Sequence, residues 1–82
     1  MEEKEIKSII ELLEELKTDV SVPRNVKEKI ENTISALNEQ NDIKLRINKA
    51  LHELDEIADD TNLQPYTRTQ IWNIVSLLEK LT

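Results

Sequence analysis

The chain has 82 residues with no cysteine and no glycine, and its 17 acidic against 11 basic residues leave a net charge of −6. A domain of this length buries only about 60% of the surface its unfolded form exposes, and without cysteine it lacks both a disulfide framework and a thiolate metal site. The negative charge opposes a phosphate backbone and argues against nucleic acid as a partner. The absence of glycine, with only two prolines, excludes loop-rich and β-rich folds.

The N-terminal run Met1-Glu2-Glu3-Lys4-Glu5 has no apolar leader character, and no apolar stretch approaches the ~18 residues of a membrane span. The expectation is a cytoplasmic protein that avoids membranes.

In the first segment Ile6, Ile9, Ile10, Leu13 and Leu16 recur at three- and four-residue steps, with Glu and Lys opposite. This is the stripe of an amphipathic helix from about Glu2 to Lys17. Asp19-Val20-Ser21-Val22-Pro23 then breaks the pattern. Ser21 is a candidate cap for the next helix, and Pro23 suits a first turn whose N–H groups have no intrahelical partner. The second helix runs to about Leu37, with Val26, Ile30, Thr33, Ile34 and Leu37 inward.

Asn38-Glu39-Gln40-Asn41-Asp42 is polar and holds three Asn or Asp residues, which tolerate left-handed turns and cap helices in place of glycine. A third helix follows, burying Ile43, Ile47, Ala50, Leu51, Leu54, Ile57 and Ala58 and ending near Asp60. The fourth starts between Asn62 and Thr67, around Pro65, and turns Ile71, Ile74, Val75, Leu78 and Leu81 inward.

A shift of 41 residues lays Ile6 on Ile47, Leu13 on Leu54, Ile30 on Ile71 and Leu37 on Leu78. Any two amphipathic hairpins of similar length would match in this way. The added matches of Asp19 with Asp60 and Ser21 with Asn62 go beyond periodicity. The expected organisation is one domain of two similar helical hairpins, 1–40 and 41–82, a period that also fits helical-hairpin repeats. Short connections make successive helices antiparallel neighbours, so the expected fold is an all-α four-helix up-and-down bundle, with a HEAT-like pair of stacked hairpins as the alternative.

Ser21-Val22-Pro23-Arg24-Asn25-Val26, Leu54-Asp55-Glu56-Ile57 and the run from Arg68 through Trp72 to Ser76 resemble a family of short archaeal proteins, uncharacterised protein family zero-one-four-seven. Lys27-Glu28-Lys29 departs from that pattern, which is richer in alanine there. The resemblance implies a four-helix bundle in an archaeal cytoplasm. It implies no activity and transfers no functional residue.

Nucleophilic catalysis needs a base beside the nucleophile, and the one imidazole, His52, falls opposite the inward stripe of its helix, where it reads as a solvated surface residue. The acidic run Glu53, Asp55, Glu56, Asp59 and Asp60 lacks the Glu-x-x-His motifs of carboxylate di-metal bundles and reads as a solvated face. No cofactor or metal is implied.

Two surface sites are candidates. The even-numbered helices begin at the same end of an up-and-down bundle, where partial positive charge and free N–H groups lie beside Arg24 and Arg68, a setting for an anion or an acidic peptide. Asp19, Asp59 and Asp60 could equally neutralise those arginines. In the fourth helix, Trp72 and Leu77 widen the apolar arc to roughly 220°, whereas a surface helix needs little over about 100°. The simpler reading buries Trp72 as the main anchor of the core. The functional one makes Tyr66, Trp72 and Leu77 a partner surface, extended by Leu12 or Leu45, since Trp and Tyr concentrate at interface hot spots. The function expected is a non-enzymatic interaction module or small subunit that binds another protein or itself. The alternative is a binder of a small anion or acidic peptide at Arg24 and Arg68.

Overall fold

Four apolar stripes, one per helix, meet on a common axis in the computed structural model, which describes residues 2–81. The helices are α1 (Glu2–Lys17), α2 (Arg24–Asn38), α3 (Ile43–Ala58) and α4 (Pro65–Glu79). Each helix packs on the next in the chain and α4 closes on α1, while the diagonal pairs α1 with α3 and α2 with α4 do not pack. That ring of neighbours is the up-and-down bundle; stacked hairpins would bring diagonal helices together instead.

Polar links at the two ends fix the antiparallel sense. At one end Arg46, at the start of α3, holds Glu3 of α1 through bonds of 2.7 and 3.1 Å and the Leu37 carbonyl of α2 through bonds of 3.0 and 2.6 Å. At the other end Asn25 of α2 donates to the Asp60 carboxylate beyond α3, at 2.9 Å. Ion pairs Lys17–Glu31, Lys29–Glu56 and Lys49–Glu39 tie α2 to the helices on either side.

The core is aliphatic. Leu13, Val26, Ile30, Leu37, Ile47, Leu54, Ile57, Ile71 and Leu78 are fully buried, and the hydroxyl of buried Thr33 donates to the Lys29 carbonyl at 2.8 Å. Among the described residues no buried side-chain nitrogen or oxygen lacks a partner. Most of the expected core is found here; Ile10 and Leu81, read as inward, are only partly buried, and Val22, Ala36, Leu63 and Thr67 join the buried set. Ile43 and Leu51 are likewise only partly buried at its edge, Trp72 is about half exposed and therefore not a core anchor, and Arg46 is buried although its charge hides it from an apolar pattern.

The two hairpin turns share one geometry. Asp19 accepts from the Ser21 N–H at 2.9 Å, and Asp60 from the Asn62 N–H at 2.8 Å. Val22 and Leu63, three residues beyond each aspartate, then turn into the core. Ser21 does not cap α2: its hydroxyl also donates to Asp19, at 2.8 Å, and Pro23 occupies the cap position without a side-chain bond. The polar connection before α3 uses no left-handed residue, and none occurs among the described residues. Extended backbone at Glu39 and a cap by Asp42, which accepts from the Lys44 N–H at 3.0 Å, make the reversal instead. Among the described residues no helix is long and apolar enough to cross a membrane.

Candidate functional site

On α4, Ile71, Ile74, Val75 and Leu78 face inward. At about 100° per residue, Tyr66 and Leu77 fall within roughly 20° of each other on one flank, and Trp72 stands about 140° from Leu77 on the other. The three expected partner residues are all exposed, Tyr66 by 66%, Trp72 by 49% and Leu77 by 39%, but they divide between two flanks.

The Tyr66–Leu77 flank meets α1. There Leu12, 40% exposed, joins two adjoining cavities into one groove. The first, about 150 Å³, is lined by Leu12, Leu16, Tyr66 and Ile74 with Glu15, Asp19 and Gln70. The second, about 210 Å³, is lined by Ile9, Leu12 and Leu77 with Glu5 and Ser8. Along α1 the lining runs from Glu5 to Leu16, about 17 Å at ~1.5 Å per residue. Of the two leucines read as possible extensions of the patch, Leu12 joins this groove. Leu45 projects from the outer face of α3, the helix diagonal to α1, and stays apart from it.

The cavity beside Leu77 is mainly apolar, and the one beside Tyr66 mixes apolar and polar side chains. Glu5, Glu15 and Asp19 take part in the lining of the groove, and no Lys or Arg does. The bonds from the Ser21 N–H and hydroxyl hold the Asp19 carboxyl below its ordinary range, with nearby Lys27 adding to the effect. Of the three lysines of α1, Lys17 pairs with Glu31 of α2 at 2.7 Å, Lys7 lines a separate cavity with Asn38 and Arg46, and Lys4 falls about 20° from Glu15 on the helix, at the border of the groove.

Two hydroxyls line the groove, those of Tyr66 and Ser8; the Ser8 hydroxyl donates to the Lys4 carbonyl of its own helix at 3.3 Å, and no imidazole is in the lining. His52 is exposed on α3 and lies 3.5 Å from Glu56, in keeping with the surface role read from the sequence. Among the described residues no three His, Cys, Asp or Glu side chains gather around a position that could hold a metal ion.

Arg24 and Arg68 lie on diagonal helices that do not pack against each other. Arg68 is half-buried and donates to the Asp60 carbonyl at 2.8 Å and the Ala58 carbonyl at 3.3 Å, so it caps the C-terminal end of α3. The Asp60 carboxylate beside it is held low by the Asn62 N–H and by Asn25, with Lys29 and Arg68 contributing charge. Arg24 is exposed at the start of α2. Sequence reasoning placed both residues at the correct end but could not see that Arg68 turns inward. It also missed the groove as a unit, although Ile9, Leu12 and Leu16 at steps of three and four were the available signal.

The family model for uncharacterised protein family UPF0147 matches residues 1–81. The UPF0147 protein of Methanocaldococcus jannaschii is 42% identical over 77 residues, covering 93% of this chain and 83% of that one. The relative from Thermoplasma acidophilum is 36% identical over 75 residues, covering 90% and 85%. Among solved structures, the unknown-function protein MMP1188 superposes with a TM-score of 0.90 at 42% identity, over 95% of this chain and 90% of that one. The crystal structure of a UPF0147 protein from Thermoplasma acidophilum gives 0.89 at 34% identity, over 96% and 94%. The chain belongs to the uncharacterised archaeal protein family UPF0147.

Proposed function

We propose that this protein is a non-enzymatic interaction module whose docking face is the groove between α1 and α4. One observation carries the reading: Leu12, Tyr66 and Leu77 stay exposed in a single groove although the bundle has already closed around a complete aliphatic core. Contiguous exposed apolar surface with a polar border is characteristic of binding faces, and tyrosine is among the residues enriched where such faces are anchored. Trp72, on the other flank of α4, stands outside this face.

The alternative, an anion or acidic-peptide site at Arg24 and Arg68, has less support. A ligand there would have to compete with the Ala58 and Asp60 carbonyls for Arg68.

The test is affinity capture from an archaeal extract with the parent protein, Leu77→Asp and Arg24→Ala in parallel, with circular dichroism on each. A protein held by the parent and by Arg24→Ala but lost with Leu77→Asp, at unchanged helicity, supports the reading. Capture that is indifferent to Leu77→Asp, or no capture together with a monomeric mass at every concentration, refutes it.

A further inference from the structure

We infer that the occupant of the α1–α4 groove is a basic amphipathic helix of another protein, about three turns long, with aliphatic anchors along one face and Lys or Arg beside them; this rests on the interaction reading above. The groove sets the shape of the occupant. Its lining spans about 17 Å of α1, the length of some eleven helical residues, and Leu12, common to both cavities, links Leu16 and Ile74 of the first to Ile9 and Leu77 of the second. A helix that lays leucine-type side chains at i, i+4 and i+7 into a groove of this kind uses the same packing that holds α1 against its neighbours.

Charge sets the chemistry. Glu5, Glu15 and Asp19 line the groove with no cation among them, and Glu11, Glu14 and Glu15 border a shallow depression farther round the same helix. An occupant flanked by Lys or Arg would neutralise these carboxylates, and complementarity of this kind selects partners and speeds their encounter.

The same charges disfavour a second copy. A two-fold pairing places the same patch on both sides of the contact, so the α1 carboxylates of one copy would face those of the other. Along α4 and its cap the cations are Arg68, which is bonded to the Ala58 and Asp60 carbonyls, and Lys80 at the C-terminal end, so a second copy would bring one available α4 cation to several carboxylates.

The probe is a synthetic amphipathic helix of four turns carrying leucines at i, i+4 and i+7 with lysines on both flanks, together with a twin in which glutamates replace the lysines. Fluorescence anisotropy at low and at physiological salt reads their binding to the parent protein, to Leu77→Asp and to the charge reversal Glu5→Lys/Glu15→Lys. The lysine peptide should bind at least about tenfold more tightly than its twin at low salt, as expected for several exposed ion pairs. The difference should shrink as salt rises, invert with the charge reversal and vanish with Leu77→Asp. Equal binding of the twins overturns the proposal, and so does lysine-peptide binding that survives Leu77→Asp, which would be nonspecific attraction to the acidic ridge. Self-association abolished by Leu77→Asp, with neither peptide bound, makes the occupant a second copy; it overturns this proposal and leaves the interaction reading standing. If the peptides fail while Leu77-dependent capture succeeds, the basic helix alone is wrong. If both fail, both readings fall.

Discussion

Leu54 and Leu77 are chemically identical residues on adjacent helices, and burial separates them completely. Leu54 is fully enclosed and Leu77 is 39% exposed. Leu54→Ala should therefore cost about 2–5 kcal/mol through lost burial and a residual cavity, and Leu77→Ala less than about 1 kcal/mol; urea denaturation of the two variants checks the contrast. Arg46 makes a different case. Its guanidinium satisfies the Leu37 carbonyl at the end of α2 while forming a two-bond pair with Glu3. Replacing it with methionine keeps the aliphatic stem and leaves that carbonyl without its side-chain donors, at a cost of about 1–3 kcal/mol by the same assay. Trp72, the only tryptophan, is 49% exposed. Its emission should be that of a hydrated indole and should be quenched readily by iodide. A blue-shifted, unquenched emission would mean that something covers it.

At the scale of elements, the stripes of α1 and α2 were legible because an apolar side chain every three or four residues leaves one face that water disfavours. Boundaries were legible to within a residue or two where a polar run or a proline interrupts the stripe. The capping detail was less so. Ser21 and Asp19 both have oxygens able to accept from nearby N–H groups, and only the path of the turn assigns that role to Asp19. Asp42, by contrast, caps α3 as the sequence suggests, so Asp42→Ala should lower stability by about 1 kcal/mol, measured by thermal unfolding followed at a helical wavelength. The repeat at 41 residues extends to bond geometry: Asp19 and Asp60 receive the N–H two residues on, at 2.9 and 2.8 Å.

Over the whole molecule, the cross-links between elements make stability sensitive to acid. Arg46 lowers Glu3 chiefly by hydrogen bonding, Lys49 does the same for Glu39, and the turn N–H groups at Ser21 and Asn62 lower Asp19 and Asp60. Each folded carboxyl thus titrates below its unfolded value of about 4. Between the two values the unfolded chain binds more protons, so stability rises with pH there. The contribution is complete above the unfolded pKa and is lost as pH falls through the folded one. Thermal midpoints should hold near neutrality and drop below about pH 4, and Glu3→Gln should flatten that drop.

What the sequence by itself determined was the class of fold, the four stripes, the turns between them and the family. All of these follow from local periodicity and from residue types at fixed spacing. Tertiary structure decided which exposed apolar residues share a surface. Leu12 lies more than fifty positions from both Tyr66 and Leu77 in the chain, and they meet only because α4 closes the ring against α1. Trp72, nearer to both in sequence, is carried to the far flank by the helical twist. Arg68 becomes the cap of α3 because the second turn brings its guanidinium back to the Ala58 and Asp60 carbonyls. A one-dimensional pattern shows how far a side chain lies from its own stripe; which neighbour covers it depends on the packing of helices distant in the chain.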